Sequence, residues 1–429
     1  MIDLRLVRSE PDAVRAALAR RGDEALLDPV IALDQERRAL QAQVDDLRAE
    51  RNRASEAIGE LKRAAKDDPA KAAEADAASA AMRELKDGLD GLEASLKDLD
   101  ERLTDALLVV PNLPHPDIPL GATEEDAREV RRVGEPPAFA FEPRDHLELA
   151  GAGIDMERGA RTSGSRFGYL TGDVARLWWA ISRMALATLE EAGFTPVAPP
   201  VMVREEAMYQ TGFFPTDRQS VYQLADDDLY LVGTSEVPLA ALHAGEILAE
   251  ADLPLRYAGL SSCFRREAGA AGKDTRGIFR LHQFEKVEMF AFTRPEDSWD
   301  EHERLLALEE TIAQTLGLAY RVVDIAAGDL GASAARKYDI EVWLPGQGRY
   351  RELTSCSNCT DYQARRLEAR YRPASGGPQP VHTLNGTAVT SSRTVIAVLE
   401  QHQREDGSVA VPQPLLHYGA PAVIGPAAP

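Results

Sequence analysis

The sequence predicts an α+β protein in which an antiparallel two-helix coiled coil precedes a domain built on an antiparallel β-sheet flanked by helices. Three observations carry this. Apolar residues recur at heptad spacing in two runs between residues 33 and 107, prolines crowd residues 111–116, and short apolar runs then alternate with helical stretches.

In the first run Leu33, Leu40, Leu47, Ala54 and Leu61 form one seam row, and Val44, Ile58 and Ala65 the other. In the second, Met82, Leu89, Leu96 and Leu103 stand beside Leu85, Leu92, Leu99 and Ala106. Asp67-Asp68-Pro69 breaks the pattern between them, because proline disfavours a helical residue before it. So short a break makes the helices antiparallel neighbours, each reaching roughly 50 Å at the α-helical rise. Heptads by themselves describe a dimerising or scaffolding coiled coil. Arg37 and Arg51, however, occupy seam positions where apolar residues are expected, and Arg48, Arg53, Lys62, Arg63 and Lys66 add cations to the same helix. The second helix, with Asp87, Asp90, Glu93, Asp98, Asp100 and Glu101, is more acidic, so the first is the expected face for any RNA.

Val110-Pro111-Asn112-Leu113-Pro114-His115-Pro116 cannot continue a helix, which places a domain boundary between residues 1–110 and 111–429. Beyond it, Tyr230-Leu231-Val232 and Lys286-Val287-Glu288-Met289-Phe290 read as strands, and residues 173–192 and 297–316 as helices. The Pro/Gly/Ala-rich tail from about Gly419 is expected to be disordered.

Composition excludes several classes. With 44% hydrophobic and 28% charged residues the chain is neither collagen-like nor wholly disordered. Cys263, Cys356 and Cys359 are too few for a disulfide framework and agree with a reducing cytoplasm. Cys356-x-x-Cys359 has metal-ligand spacing but no second pair, so no zinc is expected. Asp3, Arg5 and Arg8 interrupt the N-terminus, and no run approaches the ~20 apolar residues of a membrane helix. A net charge of -21 argues against a generic polyanion binder, so DNA is not expected and an RNA partner must be met by local basic patches.

The richest segment is SSCFRREAGAAGKDTRGIFRLHQFEKVEMF, residues 261–290, which reads as strand, loop, strand. Arg265 and Glu267 lie two apart and would share a strand face, while Gly269 and Gly272 free the loop. An arginine fork suits a phosphate, and the carboxylate of Glu288 on the returning strand suits an amine or a ribose hydroxyl. A surface hairpin with solvated charges is the alternative. Neither GxxxxGK[ST] nor a GxGxxG after a strand occurs, so any nucleotide binds on another scaffold.

These residues also carry a resemblance. Phe264-Arg265-Arg266-Glu267, the AGAAGKDTRG loop and His282-Gln283-Phe284-Glu285-Lys286-Val287-Glu288 resemble motif 2 of the bacterial seryl-tRNA synthetases, class II aminoacyl-tRNA synthetases. Gly233-Thr234-Ser235-Glu236 resembles that family's serine-binding loop, and Phe194 to Arg204 with Pro199-Pro200 resembles motif 1. Arg351 to Asp361 and Asn385-Gly386-Thr387 through Arg393-Thr394 to Glu400 complete a likeness that covers nearly the whole chain.

The resemblance implies a class II catalytic domain behind a tRNA-binding helical arm, a homodimer formed through motif 1, and serine, ATP with Mg²⁺, and tRNA(Ser) as ligands, with tRNA(Sec) where present. It implies that Thr234, Ser235, Glu236, Glu288 and Thr387 bind serine, with Arg265 between its carboxylate and the ATP α-phosphate. Arg266, Glu267, the Leu281 backbone and Phe284 would serve ATP, Glu267 and Leu281 holding adenine and Phe284 stacking on it. Glu352, Leu353, Thr354 and Ser355 would complete that site, Glu352 and Ser355 holding Mg²⁺, and Arg393 would meet the γ-phosphate. Arg265, Arg393 and Glu352 are the expected catalytic groups. In this setting His282 is expected to be a structural hydrogen-bonder. The chain departs from the family where NGTAVTSSRT lacks a glycine directly after the Thr, and in its tail VPQPLLHYGA. Three rivals are a carrier-loading amino acid ligase, a non-catalytic coiled-coil protein and a specialised second copy of the enzyme. The arm counts against the first and the intact charged motifs against the second.

Overall fold

The computed structural model describes residues 1–64, 68–268, 274 and 276–425. Ala65, Lys66 and Asp67 of the first helix and break, Gly269 and Gly272 with most of their loop, and the tail residues 426–429 lie outside the described residues. The chain forms two compact units. One comprises Leu4–Pro11 and Asp23–Val110, and the other Met1–Asp3, Asp12–Gly22 and the described residues from Pro111 on. Asp12–Gly22 falls in the second unit because its arginines satisfy backbone carbonyls there. Arg20 donates to His115 O and Ile118 O at 2.8 Å, and Arg21 to Leu330 O at 2.8 Å.

The first unit is dominated by helices α1 (Leu27–Ala64) and α2 (Pro69–Val109). Asp68 caps α2 by accepting from Ala70 N–H at 2.9 Å, with proline at the start of the helix, where its missing N–H costs nothing. Val44 and Ile58 of α1 and Leu89, Leu99 and Leu103 of α2 are buried at the heptad positions. Arg37 pairs with Asp100, and Arg48 with Glu93 at 2.9 Å. The partner number falls as the first rises, so the helices are antiparallel. A seam arginine is tolerated because its stem packs while its head reaches the neighbouring carboxylate. Two cations expected to face RNA are therefore engaged within the helix pair.

The second unit is organised by an eight-stranded sheet. Its strands are β1 (Arg128–Val133), β2 (Thr195–Val197), β3 (Leu255–Phe264), β4 (Gln283–Thr293), β5 (Tyr320–Asp324), β6 (Arg336–Leu344), β7 (Arg349–Thr360) and β8 (His382–Thr390), in the order β1-β5-β6-β7-β8-β4-β3-β2. Every pairing is antiparallel except β2 with β3. On β4 the period of two sorts the side chains. Val287, Met289 and Ala291 join a core with Trp178 and Ile181 of α3 (Gly172–Glu191) and Leu305 and Ile312 of a later helix, Ser298–Thr315. Phe290 and Phe292 turn to the other face and pack with Leu239 and Ala240 of α4 (Glu236–Ala241). Lys286 and Glu288 share that second face, at its polar end.

Close approach makes this possible. Gly259 is the cross-strand partner of Glu288, and a Cβ there would lie 3.0 Å from Leu239 Cδ1 and 3.4 Å from Ser235 Oγ. Its absence lets α4 settle directly onto β3. Of the register shifts in the sheet, two one-residue bulges fall at residues beside the cavity. Val287 pairs with Val389 but Glu288 with Thr387, leaving Ala388 extra, and Leu353 is extra between Glu352 and Thr354.

The tail differs from expectation up to residue 425. Val423–Ile424 pairs antiparallel with Val409–Ala410, and Ile424 is 3% exposed. Backbone pairing and an apolar anchor outweigh the Pro/Gly-rich composition of the segment.

Candidate active site

The loop at Gly233 and the start of α4 supply one wall of a cavity whose floor is β4 and β8. Glu236, first in α4, and Glu288 are 8% and 1% exposed, so two carboxylates face the cavity out of reach of bulk water. Glu236 Oε1 accepts from Gln363 Nε2 at 2.7 Å and from Asn385 Nδ2 at 3.1 Å. Burial and then the Glu288 charge push the Glu236 carboxyl up to about 7, against Gln363, Lys286 and Arg265. Burial also raises Glu288, opposed by Lys286 and Arg265. Lys286 is in ion-pair contact with Glu288 Oε2, and its Nζ donates to Thr234 Oγ1 at 2.8 Å. Thr387 lies beside Glu288 in the ladder. Such a cup suits a small ligand carrying an ammonium and a hydroxyl.

Arginines and a carboxylate line the rest. Arg265 was expected on a strand with Glu267, but β3 ends at Phe264 and Glu267 takes a positive φ of 52°. Both still line the cavity, because Arg265 N–H bonds His282 O at 2.9 Å before the chain turns. His282 returns a hydrogen bond from Nδ1 to Arg265 O at 2.8 Å, a structural role. The Arg265 guanidinium lies 5.3 Å from the Phe284 ring centre, and Glu267 pairs with Arg280 at 2.6 Å. Across the cavity Glu352 pairs with Arg393 at 2.8 Å. Burial would raise Glu352, but Arg393, Lys337 and Arg265 outweigh it and hold the carboxyl down at about 2.

Glu352 and Ser355 on β7 offer an ionised carboxylate and a hydroxyl, both hard oxygen donors, to this cavity. That set fits Mg²⁺, which takes one or two protein ligands and leaves its other positions to phosphate and water. Among the described residues no cluster of three or more His, Cys, Asp or Glu is placed to hold a metal by itself.

The same cavity also collects Thr234, Leu281, Phe284, Leu353, Thr354 and Thr387. Two expected residues lie off its wall. Ser235 is fully buried, and Arg266, whose backbone N–H bonds Ser220 O, is not among the lining residues. Lys286, Asn385, Phe279 and Arg280 line it without having been assigned a role. The two-residue spacing of Lys286 and Glu288 was the signal that could have found the lysine.

Known proteins give a consistent picture. A model of the class II tRNA synthetase core domain (G, H, P, S and T) matches residues 220–402, and the seryl-tRNA synthetase N-terminal domain matches residues 1–114. The chain is 51% identical over 431 aligned positions to a serine–tRNA ligase of Nocardia farcinica, covering 100% of both. Among solved structures, the seryl-tRNA synthetase of Pyrococcus horikoshii complexed with ATP is 42% identical with a TM-score of 0.94, covering 100% of both chains. The cytoplasmic serine–tRNA ligase of Naegleria fowleri, in complex with AMP, is 32% identical with a TM-score of 0.88 over 100% of this chain and 99% of that one.

Proposed function

The chain belongs to the seryl-tRNA synthetase family of class II aminoacyl-tRNA synthetases, and from that premise we propose how its residues divide the work. It is an ATP-dependent serine–tRNA ligase, forming seryl-adenylate and pyrophosphate and then passing serine to the 3′ end of tRNA(Ser). The observation that carries the residue assignment is the single cavity joining Glu236, Glu288 and Thr387 to Arg265, Glu352 and Arg393.

Glu236 takes the serine ammonium, and Glu288 with Thr387 takes its hydroxyl. The serine carboxylate is already ionised at neutral pH and needs no base, so the chemistry reduces to alignment and charge stabilisation. Arg265 takes the serine carboxylate and the α-phosphate, and Arg393 serves the outer phosphates. Phe284 and Glu267 hold the adenine. Mg²⁺ at Glu352 and Ser355 would supply neutralising charge to the phosphates. A site built to bond a hydroxyl rejects alanine by about 10⁴ to 10⁵, since its own polar groups are otherwise left unpaired.

Residues 1–110 serve tRNA(Ser), and tRNA(Sec) where present, through shape and backbone contacts. The chain acts in the cytoplasm as a homodimer. The open edge of β2 and the exposed Met202 and Trp179, 48% and 54% exposed, support pairing through motif 1. Among the described residues no helix is long and apolar enough to cross a membrane.

The test is ATP–pyrophosphate exchange with each amino acid, followed by tRNA charging with and without residues 33–107. Exchange with serine alone, and charging lost without the helix pair, are the expected results. Exchange with no tRNA charging by the full chain would favour a carrier-loading ligase.

A further inference from the structure

Lys286 has no role in the scheme above, yet it is 5% exposed at the bottom of the serine pocket. A buried ammonium is retained only with partners that compensate its lost hydration. Its partners are Glu288 Oε2 and Thr234 Oγ1.

Counting donors and acceptors shows what those contacts enforce. The Thr234 hydroxyl has two acceptor sites, and both are filled, one by Lys286 Nζ at 2.8 Å and one by Glu236 N–H at 3.1 Å. Its single proton points to Glu288 Oε2 at a long 3.4 Å. Glu288 Oε2 is thus committed to two donors, while Oε1 meets no protein donor among the described residues. Glu236 is similarly half-used, with Oε1 taken by Gln363 and Asn385 and no protein donor at Oε2 among the described residues. The pocket therefore presents two open carboxylate oxygens and one under-used hydroxyl proton.

We propose that Lys286 is a specificity-determining positioning residue of the serine pocket: by fixing Glu288 Oε2 and Thr234 Oγ1, it leaves Glu288 Oε1 as acceptor for the substrate hydroxyl and confines Thr234 to donating. The inference rests on the serine-activation reading. Without the lysine, Thr234 regains an acceptor site and Glu288 turns freely between the two buried positions of its oxygens. The pocket then no longer demands a hydroxyl from its ligand. Lys286 itself stays clear of the substrate ammonium, from which like charge repels it.

The experiment compares serine- and alanine-dependent ATP–pyrophosphate exchange for the full unaltered chain, Lys286→Met and Lys286→Arg. Lys286→Met is expected to raise the serine KM by about 10- to 100-fold and lower the serine-over-alanine ratio of kcat/KM by about 10²-fold, with the ATP KM within about threefold. Lys286→Arg, which keeps the charge, should recover most of the ratio. An unchanged ratio in Lys286→Met, or an ATP KM that rises with the serine KM, would overturn the proposal. Should Lys286→Met lose its folded far-UV signal, Lys286→Gln is measured instead, and an unchanged ratio there overturns it equally. Absence of serine-dependent exchange in the unaltered chain refutes the underlying reading and is distinguished by that control.

Discussion

Lowering the pH from about 8 to about 6 should weaken serine capture roughly tenfold, because the pocket carboxylates take up a proton across that window. The Glu236 carboxyl is pushed up to about 7 by its burial and by Glu288 beside it, with Gln363, Lys286 and Arg265 opposing. An ammonium ligand prefers the ionised form, so serine must bind the deprotonated pocket. The ionised fraction is about nine-tenths near pH 8 and about one-tenth near pH 6, so the serine KM rises by about their ratio. Glu288 is raised as well, chiefly by burial, and the two titrate as a pair, so the profile belongs to both. Lys286 and Arg265 are the cations that face them. Folding stability follows the opposite sense. The folded chain holds the Glu236 proton more tightly than the unfolded chain does, so this group's contribution falls as pH rises from about 4.5 to about 7. The assay is exchange at saturating Mg-ATP across the range, with Glu236→Gln as the non-titrating variant, expected to show a high and much flatter serine KM. A wild-type KM that moves less than about twofold, or a variant that keeps the full wild-type profile, would refute the reasoning.

Three other outcomes are expected. Arg393→Ala removes the guanidinium 2.8 Å from Glu352 and should lower the exchange kcat by about 10² to 10³-fold with the serine KM little changed. A Cβ on Gly386 would lie 2.9 Å from Met289 Cε, 3.1 Å from Glu309 Oε1 and 3.2 Å from Cys356 Cβ, so Gly386→Ala should cost about 1–3 kcal/mol in denaturant unfolding. Leu89, 1% exposed between the long helices, should cost about 2–5 kcal/mol as Leu89→Ala, weakening tRNA charging while leaving serine-dependent exchange intact.

The long helices were legible because their signal is local. A repeat of seven places Val44, Ile58 and Leu89 inside without reference to anything distant. The fate of the cations between them was not, since the pairing of Arg37 with Asp100 joins residues far apart in the chain. Strand order is non-local in the same way. Nothing in Arg128-Glu129-Val130-Arg131-Arg132-Val133, mostly exposed, announces an edge strand beside Tyr320–Asp324. The site residues were readable through their motifs, but the turn that carries Glu267 off the strand depends on a backbone conformation that its residue type disfavours. The tail misled because composition weighs every residue equally, whereas a few apolar side chains such as Ile424 decide whether a segment docks.

The extra residue at Ala388 bears on how the chain tolerates insertion and deletion. Cross-strand partners share a face, so Thr387 opposite Glu288 and Thr390 opposite Lys286 both turn to the cavity although three positions apart, and losing one residue there would restore a regular ladder with both pairs kept. A residue lost from the regular part of β8 has no such room, and the side chains beyond it would turn away from the cavity that Thr390, Ser392 and Arg393 line. The exposed loop at residues 374–378, between two short strands, carries no such constraint. Several residues are negotiable in that loop and one at Ala388, whereas the regular stretches of the strand must keep their count.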